Sequence, residues 1–167
     1  MIVFKYINLI CILLICAYLG KYKSQSYENR VFELNRFQNA LIMFKSKIEF
    51  TYEPLKNIFE DISKSIYEND ENIFSNALKD ETNITLSWNR AVNNTQNSFN
   101  KEDREHIKML GKMLGKTDVK GQVNEIDLCI SLINMQLNKA ELEKEKNCKL
   151  FKTIGIVLGL GICIVLI

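Results

Sequence analysis

Proline appears once in this chain of 167 residues, at Pro54, and glycine only seven times. That leaves too little turn chemistry for the repeated tight reversals of an all-β fold, and no convincing strand pattern appears. Histidine also appears once. His106 lies in "DREHIK", with no HExxH pattern and no second histidine, so it reads as a surface helix residue rather than a metal ligand. The five cysteines form no C-x-x-C pair. Cys11, Cys16 and Cys163 fall in apolar runs, and Cys129 and Cys148 are far apart, so a disulfide framework is not expected. There is no P-loop, no G-x-S-x-G and no glycine-rich dinucleotide fingerprint, so neither an enzyme nor a cofactor is expected. A net charge of +2 without any Lys/Arg block gives no nucleic-acid surface.

What is present is apolar sequence piled at both ends. Ile2 to Gly20 carries a single charge, Lys5. A cleavable signal peptide would share the early lysine and short apolar run, but no small-x-small cleavage site follows, so an uncleaved anchor is the better reading. Thr153 to Ile167, "TIGIVLGLGICIVLI", forms the second run. As a helix it rises roughly 22 Å, and Leu150, Phe151 and a snorkelling Lys152 extend it toward the roughly 30 Å of a hydrocarbon core. Lys21, Lys23, Arg30 and Arg36 follow the first run, and Lys144, Lys146, Lys149 and Lys152 precede the second. The positive-inside rule then puts residues 21–152 in the cytoplasm and both termini outside. The expected organisation is an N-terminal transmembrane anchor at 1–20, a cytoplasmic helical bundle of about six helices at 21–152, and a C-terminal transmembrane anchor at 153–167.

Between the anchors the hydrophobic period is helical. Val31, Leu34, Phe37, Leu41, Phe44 and Ile48 form one stripe, ended before Pro54. Leu55, Ile58, Phe59, Ile62 and Ile66 form a second, with Pro54 in its first turn and an end near Asn69. Asp70 is the expected cap of a short helix holding Ile73, Phe74, Ala77 and Leu78, and Thr82 or Thr85 of another holding Leu86, Trp88, Ala91 and Val92. Trp88 reads as a core anchor. Asn100 is the expected cap of the helix through "KEDREHIKML".

The stretch "LGKMLGKTDVKGQ", residues 110–122, reads as a tight corner. Gly115 follows Leu114 where a left-handed terminating residue belongs, and Thr117 or Asp118 can accept backbone N–H groups to start the next helix. Gln122 lies one turn inside that helix, where its amide could brace the corner. Gly111 would sit inside the preceding helix and permit close packing. The new helix carries Val119, Val123, Ile126, Ile130, Ile133, Leu137 and Ala140 in alternating steps of four and three, and nothing breaks it before the second apolar run. That stripe suits an intramolecular core, and it also suits coiled-coil-like self-association into a homo-oligomer. In the second run, Gly155 and Gly159 have small-xxx-small spacing, with Gly161 beside them, which suits helix association within a membrane.

Together, Tyr52-Glu53-Pro54-Leu55, the Leu110-Gly111…Leu114-Gly115-Lys116-Thr117-Asp118…Gln122 corner, and a charged helix leading to Phe151…Gly155…Gly159…Ile167 resemble the stage III sporulation protein AB family. The resemblance covers nearly the whole chain and is weakest from Ile66 to Asn100. It implies a mother-cell membrane protein of endospore formers, acting in a channel or secretion-like complex that links mother cell and forespore during engulfment. It further implies similarity to the inner-membrane platform proteins of type II secretion and type IV pilus systems. The implied partners are other membrane subunits of the complex and a cytoplasmic assembly ATPase. Two functions are therefore carried forward: a non-enzymatic platform or assembly subunit, and a membrane-anchored sensor or regulator that acts on a soluble partner.

Overall fold

The computed structural model describes residues 2–51, 53–79, 83–112, 114–116 and 118–166. Among them are six helices and no strand: α1 (Ile2–Phe50), α2 (Leu55–Tyr67), α3 (Ile73–Ala77), α4 (Ile84–Asn94), α5 (Lys101–Gly111) and α6 (Val119–Leu166). The protein is all-α. The apolar runs are not separate helices but the outer ends of α1 and α6, so six is the total with them included. For α6 continuity was expected. For α1 it follows from "KYKSQSYE", which has no proline to interrupt the helix beyond Gly20. Both helices are long and apolar enough to cross a membrane.

Packing divides the chain into two compact units, Met1–Val31 with Lys139–Ile167, and Phe32–Asn138. The first is a pair of helix segments running antiparallel. Its outer surface carries Phe4, Ile10, Leu14, Tyr18, Val157 and Val165, all exposed. Contiguous apolar surface of this kind needs a cover.

The second unit is built on an aromatic core. Leu34, Phe37, Leu41 and Phe44 of α1 are wholly buried, as are Ile58, Phe59 and Ile62 of α2. Phe74, on the five-residue α3, lies with its ring centroid 5.8 Å from Phe37, 6.4 Å from Phe44, 5.3 Å from Phe59, 6.1 Å from Tyr67 and 5.4 Å from Trp88. Such offset and edge-on pairs each add about 0.5–1.5 kcal/mol beyond area burial. A helix that short cannot hold itself. Its sequence supplies the anchor ring and the cap, and the neighbours supply the rest. On α6 the buried stripe is Ile126, Cys129, Ile133, Gln136, Leu137 and Ala140, whereas Ile130 is half-buried and Val119 exposed.

The caps differ from expectation at three places. Pro54 is the residue before α2 rather than within its first turn. Asn72, not Asp70, caps α3: its side chain accepts from Ser75 N–H while the Ser75 hydroxyl accepts from Asn72 N–H. Asn83 caps α4 by accepting from the N–H groups of Thr85 and Leu86. Thr85 is thus inside the first turn, and Thr82 lies outside the described residues. Asn100 caps α5 as expected, in a reciprocal pair with Asp103. Helix α2 ends at Tyr67, two residues before Asn69, through two left-handed residues, Glu68 (φ 51°) and Asn69 (φ 66°).

Candidate functional site: a helix corner and a glycine seam

At the corner, α5 stops at Gly111 rather than at Leu114, and Lys112 closes it in right-handed conformation. The reason for a glycine at 111 is steric. A Cβ there would lie 2.3 Å from Cδ1 of Trp88. Trp88 is wholly buried and its indole N–H donates to the Ile107 carbonyl at 2.8 Å, so the ring has no room to move aside. Leu114 is buried in the turn that follows. Gly115 has φ 71°, the left-handed region. A Cβ at 115 would meet only Leu55 at 3.7 Å and Ile84 at 4.0 Å, so conformation rather than space calls for glycine. Asp118 then starts α6: its carboxylate accepts from Gly121 N–H at 2.9 Å, and its carbonyl accepts from Gln122 N–H at 3.0 Å. Thr117 lies outside the described residues.

In the first unit the seam is glycine on glycine. A Cβ on Gly155 would stand 2.6 Å from the Cys16 carbonyl oxygen and 3.1 Å from Cα of Gly20. A Cβ on Gly20 would stand 2.6 Å from the Phe151 carbonyl oxygen. One turn further, a Cβ on Gly159 would meet Cβ of Cys16 at 3.2 Å. Gly161 faces away, with nothing within 4 Å of a Cβ there. The seam therefore consists of Gly20, Gly155 and Gly159. Gly20 carries no sequence signal, because spacing within one run cannot show which residue of another run comes opposite. Beyond the glycines, Tyr27 stacks on Phe151 at 5.9 Å, Lys152 pairs with Glu28 at 3.2 Å, and Arg30 pairs with Glu143 at 2.8 Å. Small residues let backbones approach and gain dispersion contact, the main source of helix association in lipid.

Polar pins hold the second unit. The guanidinium of Arg36 donates to the Ile66 carbonyl at 3.0 Å and to Asp70 at 3.1 Å, and lies 4.6 Å from the Tyr67 ring centre. Beside it, burial pushes the Glu33 carboxyl above its ordinary range against the opposing pull of Arg36, with Asp70 adding to the rise. Burial likewise raises the Tyr67 phenol. Burial also holds the Cys129 thiol up at about 12, which makes it a poor nucleophile. Lys47 donates to Asp61 at 2.5 Å, and this hydrogen bond raises the lysine and lowers the carboxylate. Arg104 donates to the Val92 carbonyl and, at 2.8 Å, to the Asn97 side chain, closing the end of α4.

A hollow of about 300 Å³ lies between α3 and α4, lined by Glu71, Asn76, Lys79, Ser87, Arg90, Ala91 and Asn94. The Ser87 hydroxyl there donates to the Asn83 carbonyl at 2.9 Å. Among the described residues, no group of three or more His, Cys, Asp and Glu side chains is placed to hold a metal ion. His106 lies 4.0 Å from Glu102 on α5.

These features define an all-α protein with two membrane-competent helices paired through glycines. The chain belongs to the stage III sporulation protein AB family, whose model matches residues 5–167. It is similar to stage III sporulation protein AB of Bacillus subtilis (strain 168), at 22% identity over 97% of this chain and 98% of that one. A solved structure of stage III sporulation protein AB shares the fold, with a TM-score of 0.58 at 19% identity, covering 70% of this chain and 96% of that one.

Proposed function

We propose that this protein is a non-enzymatic membrane platform, an assembly subunit of a channel or secretion-like complex between mother cell and forespore. It sits in the mother-cell membrane with residues 21–152 in the cytoplasm. There it meets other membrane subunits and a cytoplasmic assembly ATPase. The observation that carries this reading is the first unit: two apolar helix segments packed glycine against glycine, with their outward faces uncovered. Membership of the stage III sporulation protein AB family supports a role in sporulation. Arg36, Lys47, Asn72, Asn83, Asn100 and Arg104 of the second unit serve as caps and pins, which supports a scaffolding role.

The test is affinity purification of the tagged full-length chain from sporulating cells, solubilised in mild detergent. Recovery of further membrane subunits together with an assembly ATPase is expected. Recovery of a kinase or transcription regulator alone would overturn the platform reading in favour of a membrane-anchored regulator.

A further inference from the structure

Where the two apolar runs of the first unit give way to polar sequence, the charge is of one sign. From Lys21 to Tyr27 on α1 there is no Asp or Glu, and beyond Glu145 on α6 there is none. Lys21, Lys23, Lys146, Lys149 and Lys152 fall in these two stretches. Antiparallel pairing brings the stretches level: Phe151 backs onto Gly20, and the Cys148 thiol donates to the Ser24 carbonyl at 3.4 Å. The first acid on α1, Glu28, is held by Lys152 at 3.2 Å.

Helix periodicity sorts these lysines by side. Lys21 and Glu28 are seven residues apart and share a face of α1, and Lys149 stands one turn from Lys152 on the matching face of α6. Lys21, Lys149 and Lys152 therefore gather on one flank of the pair, all exposed. Lys23, two residues from Lys21, lies on the other flank, 5.7 Å from the Tyr27 ring centre. Along the lysine flank the same spacing places Leu14 and Ile10, seven and eleven residues before Lys21. It also places Ile156 and Leu160, seven and eleven residues after Lys149, and all four are exposed. Exposed Tyr18 and Tyr22 mark the boundary, where amphipathic rings settle at a membrane surface. Three cations at the head of an apolar track have the layout of an anionic phospholipid, with its phosphate at the lysines and an acyl chain along the track. A free anion would leave the track unused, and a zwitterionic phospholipid would bring its own cation to the lysines. We propose that this flank of α1 and α6 binds an anionic phospholipid of the phosphatidylglycerol type.

The inference rests on the membrane reading, so insertion is measured separately. The full-length chain reconstituted into phosphatidylcholine vesicles is expected to resist carbonate extraction; release would overturn the membrane reading and this inference with it. Selectivity is read by native mass spectrometry of the delipidated, detergent-solubilised chain supplied with equal phosphatidylglycerol and phosphatidylcholine. The parent is expected to retain phosphatidylglycerol roughly tenfold over phosphatidylcholine. Combining Lys21→Gln, Lys149→Gln and Lys152→Gln should abolish that preference, and Lys23→Gln on the other flank should leave it. Glu28→Gln breaks the same ion pair as Lys152→Gln but removes the competing anion, so it is expected to raise the preference. A merely structural role for the pair would make both substitutions lower it. Equal retention of the two lipids by an inserted parent, a preference that survives the triple substitution, or displacement of phosphatidylglycerol by inorganic phosphate would each overturn the lipid assignment.

Discussion

A methyl group added at Gly111 would collide with Trp88 at 2.3 Å, whereas one added at Gly115 would find room but face φ 71°. The two substitutions therefore separate steric from conformational need. Gly111→Ala is expected to cost about 1–3 kcal/mol through overpacking. Gly115→Ala should cost about 1 kcal/mol, the strain of a Cβ in the left-handed region. Denaturant unfolding of the solubilised chain ranks them, and Gly161→Ala, with open space around it, should leave the midpoint unchanged. Glu33 offers a pH test. Its folded pKa is raised, so the native state binds the proton more tightly than the unfolded chain, and stability falls as pH rises through the carboxylate range. Glu33→Gln removes the charged form that burial opposes. It should melt higher than the parent at pH 7, with the gap closing as pH drops below the ordinary glutamate value.

At the scale of elements, the seam between α1 and α6 makes a graded prediction. Gly155→Ala meets backbone on the other helix, the Cys16 carbonyl at 2.6 Å, which cannot yield without moving the helix. Gly159→Ala meets Cβ of Cys16 at 3.2 Å and Cα of Leu13 at 3.3 Å, a milder conflict that a few tenths of an ångström relieve. Thermal melting in detergent should show a clear loss for the first and a small one for the second. How much of these elements could be read beforehand depends on the kind of information they need. The α1 stripe was fully legible: Val31, Leu34, Phe37, Leu41, Phe44 and Ile48 are all buried, because one long face packs along one side. On α6 the chain's own pattern favoured Ile130, yet Cys129 and Gln136 are the more buried, because packing partners on both flanks shift the covered arc. The caps at Asn72 and Asn83 were missed because several capping residue types stand within two positions, and only the entry angle of the chain chooses among them. Glu68 and Asn69 in left-handed conformation gave no glycine to read.

For the molecule as a whole, orientation is the open quantity that a direct measurement decides. Lysines and arginines follow the first apolar run and precede the second, and the positive-inside rule predicts that the residues between them face the cytoplasm. A cysteine introduced at Lys56, an exposed position on α2, should escape a membrane-impermeant reagent in intact cells and react once they are permeabilised. Labelling from outside would reverse the topology. The second unit also joins residues made far apart in time. Lys45 and Asp127 are separated by 82 positions, and Gln38 and Asn134 by 96. At about 5–20 residues per second, the ribosome needs roughly 5–20 s to cover that interval. Throughout it, the apolar stripe of α1 has emerged and lacks its α6 neighbour. Nascent chains halted before residue 126 should therefore be held by chaperones or lost to proteases, while chains extended past Ala140 escape both.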